Sequence, residues 1–106
     1  MEKKICIGER WIGKNEPAFI IAEMSANHNM DYERAKKIIK GVKDAGADAV
    51  KLQTYTPDTI TIDCDNDYFQ INQGTLWDGT TLYKLYQRAY TPVSYTHLTL
   101  PTILLV

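Results

Sequence analysis

Two apolar runs in this chain are each interrupted by one charge: Glu23 in "FIIAEM" and Lys51 in "DAVKLQ". A carboxylate and an ammonium in such runs are expensive to desolvate and seldom sit inside a protein without partners. Paired with each other, they form an ion pair that stabilises little, because desolvation offsets the attraction. Paired with a substrate, they could hold an anion and move a proton, the work of a cation beside a general acid or base. Gln53 follows Lys51 at the two-residue spacing that keeps a strand's side chains on one face. Asn27 and His28 follow Glu23 in the polar stretch "SANHN".

The elements that must position these residues are visible in the pattern around them. Residues 19–24 form a short, nearly continuous apolar run, as expected of a parallel strand covered on both faces. Asp31 is placed to cap a helix, and Glu33 lies in its first turn. Ala35, Ile38, Ile39 and Val42 make one apolar stripe, with Lys36, Lys37, Lys40 and Lys43 on the other side. Gly46 supplies the stop. Residues 48–55, "DAVKLQTY", read as a second strand in which Val50 and Leu52 face the helix while Lys51 and Gln53 face away. Strand, helix and strand make a βαβ unit, which implies a larger α/β fold, either an open doubly wound sheet or a (β/α)8 barrel. In a barrel the two charges would stand near the carboxyl ends of their strands, where active sites lie.

Around this unit the pattern is plainer. "KICI" and "RWI", flanking Gly8-Glu9, predict a β-hairpin with a type II′ turn. "TITI" (59–62) reads as an edge strand, "CDNDYFQINQG" as a loop, and "TLYKLYQRAY" as a helix with Leu82, Leu85, Tyr86 and Ala89 on one side. Tyr68, Phe69, Trp77, Tyr83, Tyr86 and Tyr90 read as packing rather than a base-stacking platform, since Arg88 alone accompanies them. After Arg88 no Asp, Glu, Lys or Arg follows, and residues 93–106 show no periodicity that completes a core.

Composition narrows the function classes. With 106 residues, 44% hydrophobic, 24% charged and a net charge of -1, the chain is of single-domain size and carries no basic excess. A nucleic-acid or membrane partner is not expected. Cys6 and Cys64 lack metal-site spacing and are too few for a secreted disulfide scaffold, which favours a reduced, cytoplasmic setting. A lone His28 is a weak metal ligand without a second His or Cys near it. There is no glycine-rich phosphate loop and no Ser or Cys nucleophile motif.

The strings "FIIAEMSANHN", "AGADAVKLQTYTPDTIT" and "LWDGTTLYKLYQRAYTP" resemble the N-terminal part of the sialic-acid synthase family, over about Ile5 to Pro92. Within it, "AEMSANHN" and the "LW-G-LY-LY--A-TP" segment resemble the branch that makes pseudaminate. The resemblance implies a (β/α)8 TIM barrel, here truncated and preceded by the hairpin, over residues 1–92. It implies condensation of phosphoenolpyruvate with an amino-sugar aldehyde, 2,4-diacetamido-2,4,6-trideoxy-altrose, with release of phosphate. The runner-up sugars are N-acetylmannosamine and a legionaminate precursor.

The same resemblance implies roles. Lys51 would hold phosphoenolpyruvate, and Glu23 would contact the sugar and assist proton transfer. Gln53 would hydrogen-bond substrate, and Asn27 and His28 would line the mouth. A divalent metal, Mn or Mg, would act in the complete enzyme with ligands from later strands, and the complete enzyme would be a homodimer. Residues 93–106 have no counterpart in the family pattern and are expected to be a tail of frameshift or assembly origin, leaving a fragment inactive alone.

Overall fold

The computed structural model describes residues 2–97 together with residues 104–105. At the start, β1 (Ile5–Ile7) and β2 (Arg10–Ile12) pair antiparallel with Ile5 opposite Ile12, Cys6 opposite Trp11 and Ile7 opposite Arg10. Gly8 takes φ +60° at the first turn position, where a side chain would be strained, as a II′ turn requires. The hairpin is largely solvated, and Ile5 and Trp11 stay exposed.

The βαβ unit forms as its pattern predicts, with shorter strands. β3 is Ile21–Glu23, α1 is Tyr32–Asp44 and β4 is Ala49–Lys51. The Asp31 carboxylate accepts from the Arg34 backbone N–H at 3.1 Å, which satisfies one of the amides left orphaned at the helix start. Gly46, just past the end of α1, takes φ +89° and donates its N–H to the Lys43 carbonyl at 3.0 Å. β3 and β4 run parallel with Ile21 opposite Ala49, Ala22 opposite Val50 and Glu23 opposite Lys51. Each strand has three residues, not the six or eight of its apolar run. Ile20 lies before the ladder, and beyond Lys51 the chain turns to other partners.

The core is small and lies on the α1 side of this sheet. Met24, Ala35, Ile39, Val50 and Tyr95 are its buried members, with Ile38, Val42 and Leu52 packed against them. Full burial of a side chain such as Ile39 or Val50 contributes about 1.5–3 kcal/mol, so a few such residues carry most of the packing.

The second half departs more from expectation. "TITI" is not a strand: Pro57–Ile60 form a one-turn helix, α2. Pro57 sits at the first helical position, where its missing N–H costs nothing, and Thr56 and Thr59 make a reciprocal capping box. That local chemistry outweighs the β-branched composition. α3 (Leu82–Ala89) forms as predicted, with the Thr81 hydroxyl accepting from the Lys84 N–H at 3.3 Å. It packs on α2 through the Tyr83 hydroxyl, which donates to Asp58 at 3.0 Å. The Tyr55 and Tyr86 rings meet edge to face beside it. Tyr68, expected to pack, is 91% exposed and sits in a turn.

The segment 93–106 is described in part. A 3₁₀ turn, Val93–His97, brings Tyr95 into the core, edge to face with both His28 and Tyr32. β5 (Leu104–Leu105) then pairs parallel with β4, Ala49 opposite Leu104 and Val50 opposite Leu105. A single ring and a two-residue strand leave no periodicity for sequence reading to find. The rest of the segment lies outside the described residues. The architecture is thus mixed α/β, a two-stranded antiparallel sheet beside a three-stranded parallel sheet in the order β3-β4-β5. No helix among the described residues is long and apolar enough to cross a membrane.

Candidate active site

Glu23 and Lys51 are the last residues of β3 and β4 and stand directly opposite each other in the register. Their side chains meet: Lys51 Nζ lies 3.1 Å from Glu23 Oε1. Val50 faces α1, so alternation turns Lys51 and its partner to the other face of the sheet. Both remain about half exposed, at 45% and 57%, whereas the apolar runs predict an enclosed pair. The difference has a plain cause: among the described residues no layer packs over that end of the face.

Past Lys51 the chain is held by a different partner. Gln53 donates its N–H to the Thr91 hydroxyl at 3.3 Å and accepts from the Thr91 N–H at 2.8 Å. Thr91 is fully buried, and Pro92 behind it brings no N–H to satisfy. This two-way clasp keeps Gln53 in line with Lys51. Thr91 escaped the sequence reading because a hydroxyl beside a proline signals only a turn, not a partner far back in the chain.

The stretch after Glu23 is a series of tight turns. Ser25, Asn29 and Met30 all take positive φ, at 52°, 50° and 55°. Non-glycine residues in that region cost of order 1 kcal/mol each, and such strain gathers at functional loops. Asn27 is exposed and its amide donates to the Met24 carbonyl at 3.0 Å. It lies on the loop that follows β3.

His28 does not line a mouth. Its ring is wholly enclosed and packs edge to face on Tyr95. Nδ1 accepts from the Met30 N–H at 2.9 Å, which places the neutral ring's proton on Nε2. Nε2 is buried with no partner at hydrogen-bonding geometry. Burial pushes the imidazole below its ordinary pKa, and the Ala89 backbone opposes this only in part. The polar flanks of "NHN" do not reveal this burial.

This arrangement presents a cation and a carboxylate side by side on an open sheet face. It can bind an anion at Lys51 and exchange a proton at Glu23. Among the described residues no group of three or more His, Cys, Asp or Glu could hold a metal ion. The divalent metal implied by the resemblance has no donor set among the described residues.

Comparison with known proteins places the chain. Pseudaminic acid synthase of Helicobacter pylori is 52% identical over 80 residues, covering 76% of this chain and 23% of that protein. The Campylobacter jejuni protein of the same name is 54% identical over 78 residues, 74% of this chain and 22% of its own length. N,N'-diacetyllegionaminic acid synthase of Legionella pneumophila is 48% identical over 48 residues, 45% of this chain and 14% of the other. The chain thus spans less than a quarter of the relatives' length. Residues 38–100, which carry Lys51 and Gln53 and run past Pro92, match the NeuB family. The chain belongs to the NeuB family.

Proposed function

We propose that this chain carries the phosphoenolpyruvate-gripping strands of a sugar-acid synthase, and that its parallel sheet is the first portion of a (β/α)8 barrel. One observation carries the reading: Glu23 and Lys51 end adjacent parallel strands and meet at 3.1 Å on the face away from α1. Barrel chemistry is built at the carboxyl ends of strands, which is where both residues stand. An exposed pair of this kind contributes at most about 1 kcal/mol to stability, so folding gives little reason for it.

In the proposed reaction the enol carbon of phosphoenolpyruvate attacks the sugar aldehyde, forming the new C–C bond, and the aldehyde oxygen takes a proton. Water adds at C2, the C–O bond to phosphate breaks, and phosphate leaves with the bonding pair. Lys51 offsets the charge of the phosphate or carboxylate. Glu23 lies within one side chain's reach and serves the proton transfer at the aldehyde. Gln53 hydrogen-bonds the substrate, and Asn27 lines the mouth. Each charge exchanges part of the other's company for that of substrate, which is why neither is wasted in its apolar run.

The sugar we propose is 2,4-diacetamido-2,4,6-trideoxy-altrose, since the names of the Helicobacter and Campylobacter relatives, which each cover about three quarters of the chain, denote pseudaminate synthesis. The legionaminate precursor is second, on the shorter match to the Legionella protein. The test is a chimera in which residues 1–92 replace the matching part of the Helicobacter relative, assayed for phosphate release from phosphoenolpyruvate. We expect turnover with the altrose sugar above the legionaminate precursor and N-acetylmannosamine, and none from the 106 residues alone. A chimera that turns over none of the three would overturn the reading.

A further inference from the structure

The end of the sheet opposite the charges holds a second polar cluster that the function above leaves unused. Asp48 immediately precedes β4, and Ile20 immediately precedes β3. The Asp48 carboxylate, through Oδ2, accepts from the Ile20 N–H at 2.8 Å and from Arg10 Nη2 at 3.1 Å. In return the Ile20 carbonyl accepts from the N–H groups of Asp48 and Ala49, at 2.9 and 3.1 Å. Arg10 Nη2 also donates to the Ala18 carbonyl at 3.1 Å, and the guanidinium lies 6.0 Å from the centre of the Phe19 ring. One side chain from the hairpin thus grips both chains that enter the parallel sheet.

Position makes this more than another surface ion pair. Ile20 opposite Asp48 continues the ladder of Ile21 with Ala49, Ala22 with Val50 and Glu23 with Lys51. The clasp and the charged pair therefore lie at the two ends of one short register. A slip of one residue would set Lys51 against Ala22 or Met24 and turn one strand's side chains to the wrong face. Three residue pairs of ladder are few to prevent that, and the β3 side chains Ile21 and Glu23 are exposed, so packing on that face does little to hold the strand. The Arg10 and Asp48 side chains are only 37% and 20% exposed, so their bonds are partly shielded from water. Asp48 is correspondingly held below the ordinary carboxylate range, by the Ile20 amide first and Arg10 after it.

We infer that Arg10 and Asp48 are positioning residues that set the β3–β4 register and thereby bring Glu23 opposite Lys51. Their bearing on catalysis rests on the functional reading above, while their effect on register does not. Neither touches the reacting atoms.

The experiment is NMR on this whole chain, reading the cross-strand contact between the Glu23 side chain and the Lys51 ε-methylene and the backbone contacts between Ala22 and Val50. Asp48→Ala and Arg10→Gln are expected to lose both sets of contacts, and Arg10→Lys, which keeps the charge, to regain them in part. Ile39→Val, which weakens the core without touching the clasp, is expected to keep them. This control separates register from stability. If Asp48→Ala does not fold, Arg10→Gln decides by the same signals. Unchanged Glu23–Lys51 contacts in folded Arg10→Gln or Asp48→Ala would overturn the inference. The signals need no substrate, so an inactive chimera would count against the functional reading alone.

Discussion

At the scale of single residues, Lys51 and His28 have opposite fates. Lys51 looks like a structural liability in its apolar run, yet its side chain reaches solvent and Glu23. Lys51→Ala should therefore change the stability of this chain by less than about 1 kcal/mol, measured by urea unfolding. His28 looks like a surface residue between two asparagines, yet it is enclosed, neutral and bonded to the Met30 amide. Its folded pKa lies below the ordinary 6.5 that it regains on unfolding. Below that pH the unfolded chain binds the proton more readily, so this contribution is whole above pH 6.5 and is lost as pH falls through the folded value. The urea midpoint should fall more steeply on acidification in the wild type than in His28→Gln, which offers the Met30 amide an acceptor that does not titrate. Parallel slopes would contradict it.

At the scale of elements, legibility followed the strength of the local signal. The Asp31 cap, the Ala35-Ile38-Ile39-Val42 stripe and the Gly46 stop all point to one helix, and α1 is that helix. Asp31→Ala should cost about 1 kcal/mol in urea unfolding, because the Arg34 amide loses its acceptor. "TITI" failed for the opposite reason. Its β-branched residues read as a strand, but Thr56, Pro57 and Thr59 together form a helix start, and the cap outweighs a weak propensity. The pairing of Glu23 with Lys51 was legible because both interrupt runs of the same kind. The clasp of Arg10, Asp48 and Ile20 was not, since an arginine in a hairpin and an aspartate before a strand carry no shared period.

Across the whole molecule, distant segments close what the βαβ unit leaves open. Tyr95 joins the core and packs edge to face on His28 and Tyr32, Thr91 clasps Gln53, and β5 extends the sheet. None of these has a repeat or stripe to announce it, which is why residues 93–106 read as an appendage. Tyr95→Ala should cost about 3 kcal/mol or more, as aromatic truncations in cores do. Against the roughly 5–15 kcal/mol that holds an ordinary domain folded, that loss is large and would appear as a much lower thermal midpoint. A midpoint like the wild type's would show that the ring is dispensable.

Lys51, the last residue of β4, is proposed to grip phosphoenolpyruvate. The direct test is the Michaelis constant for phosphoenolpyruvate in the chimera bearing residues 1–92, with and without Lys51→Ala. A hydrogen bond to a charged group carries about 1.5–3 kcal/mol, so the constant should rise roughly ten- to hundredfold. A constant unchanged by the substitution would contradict the account.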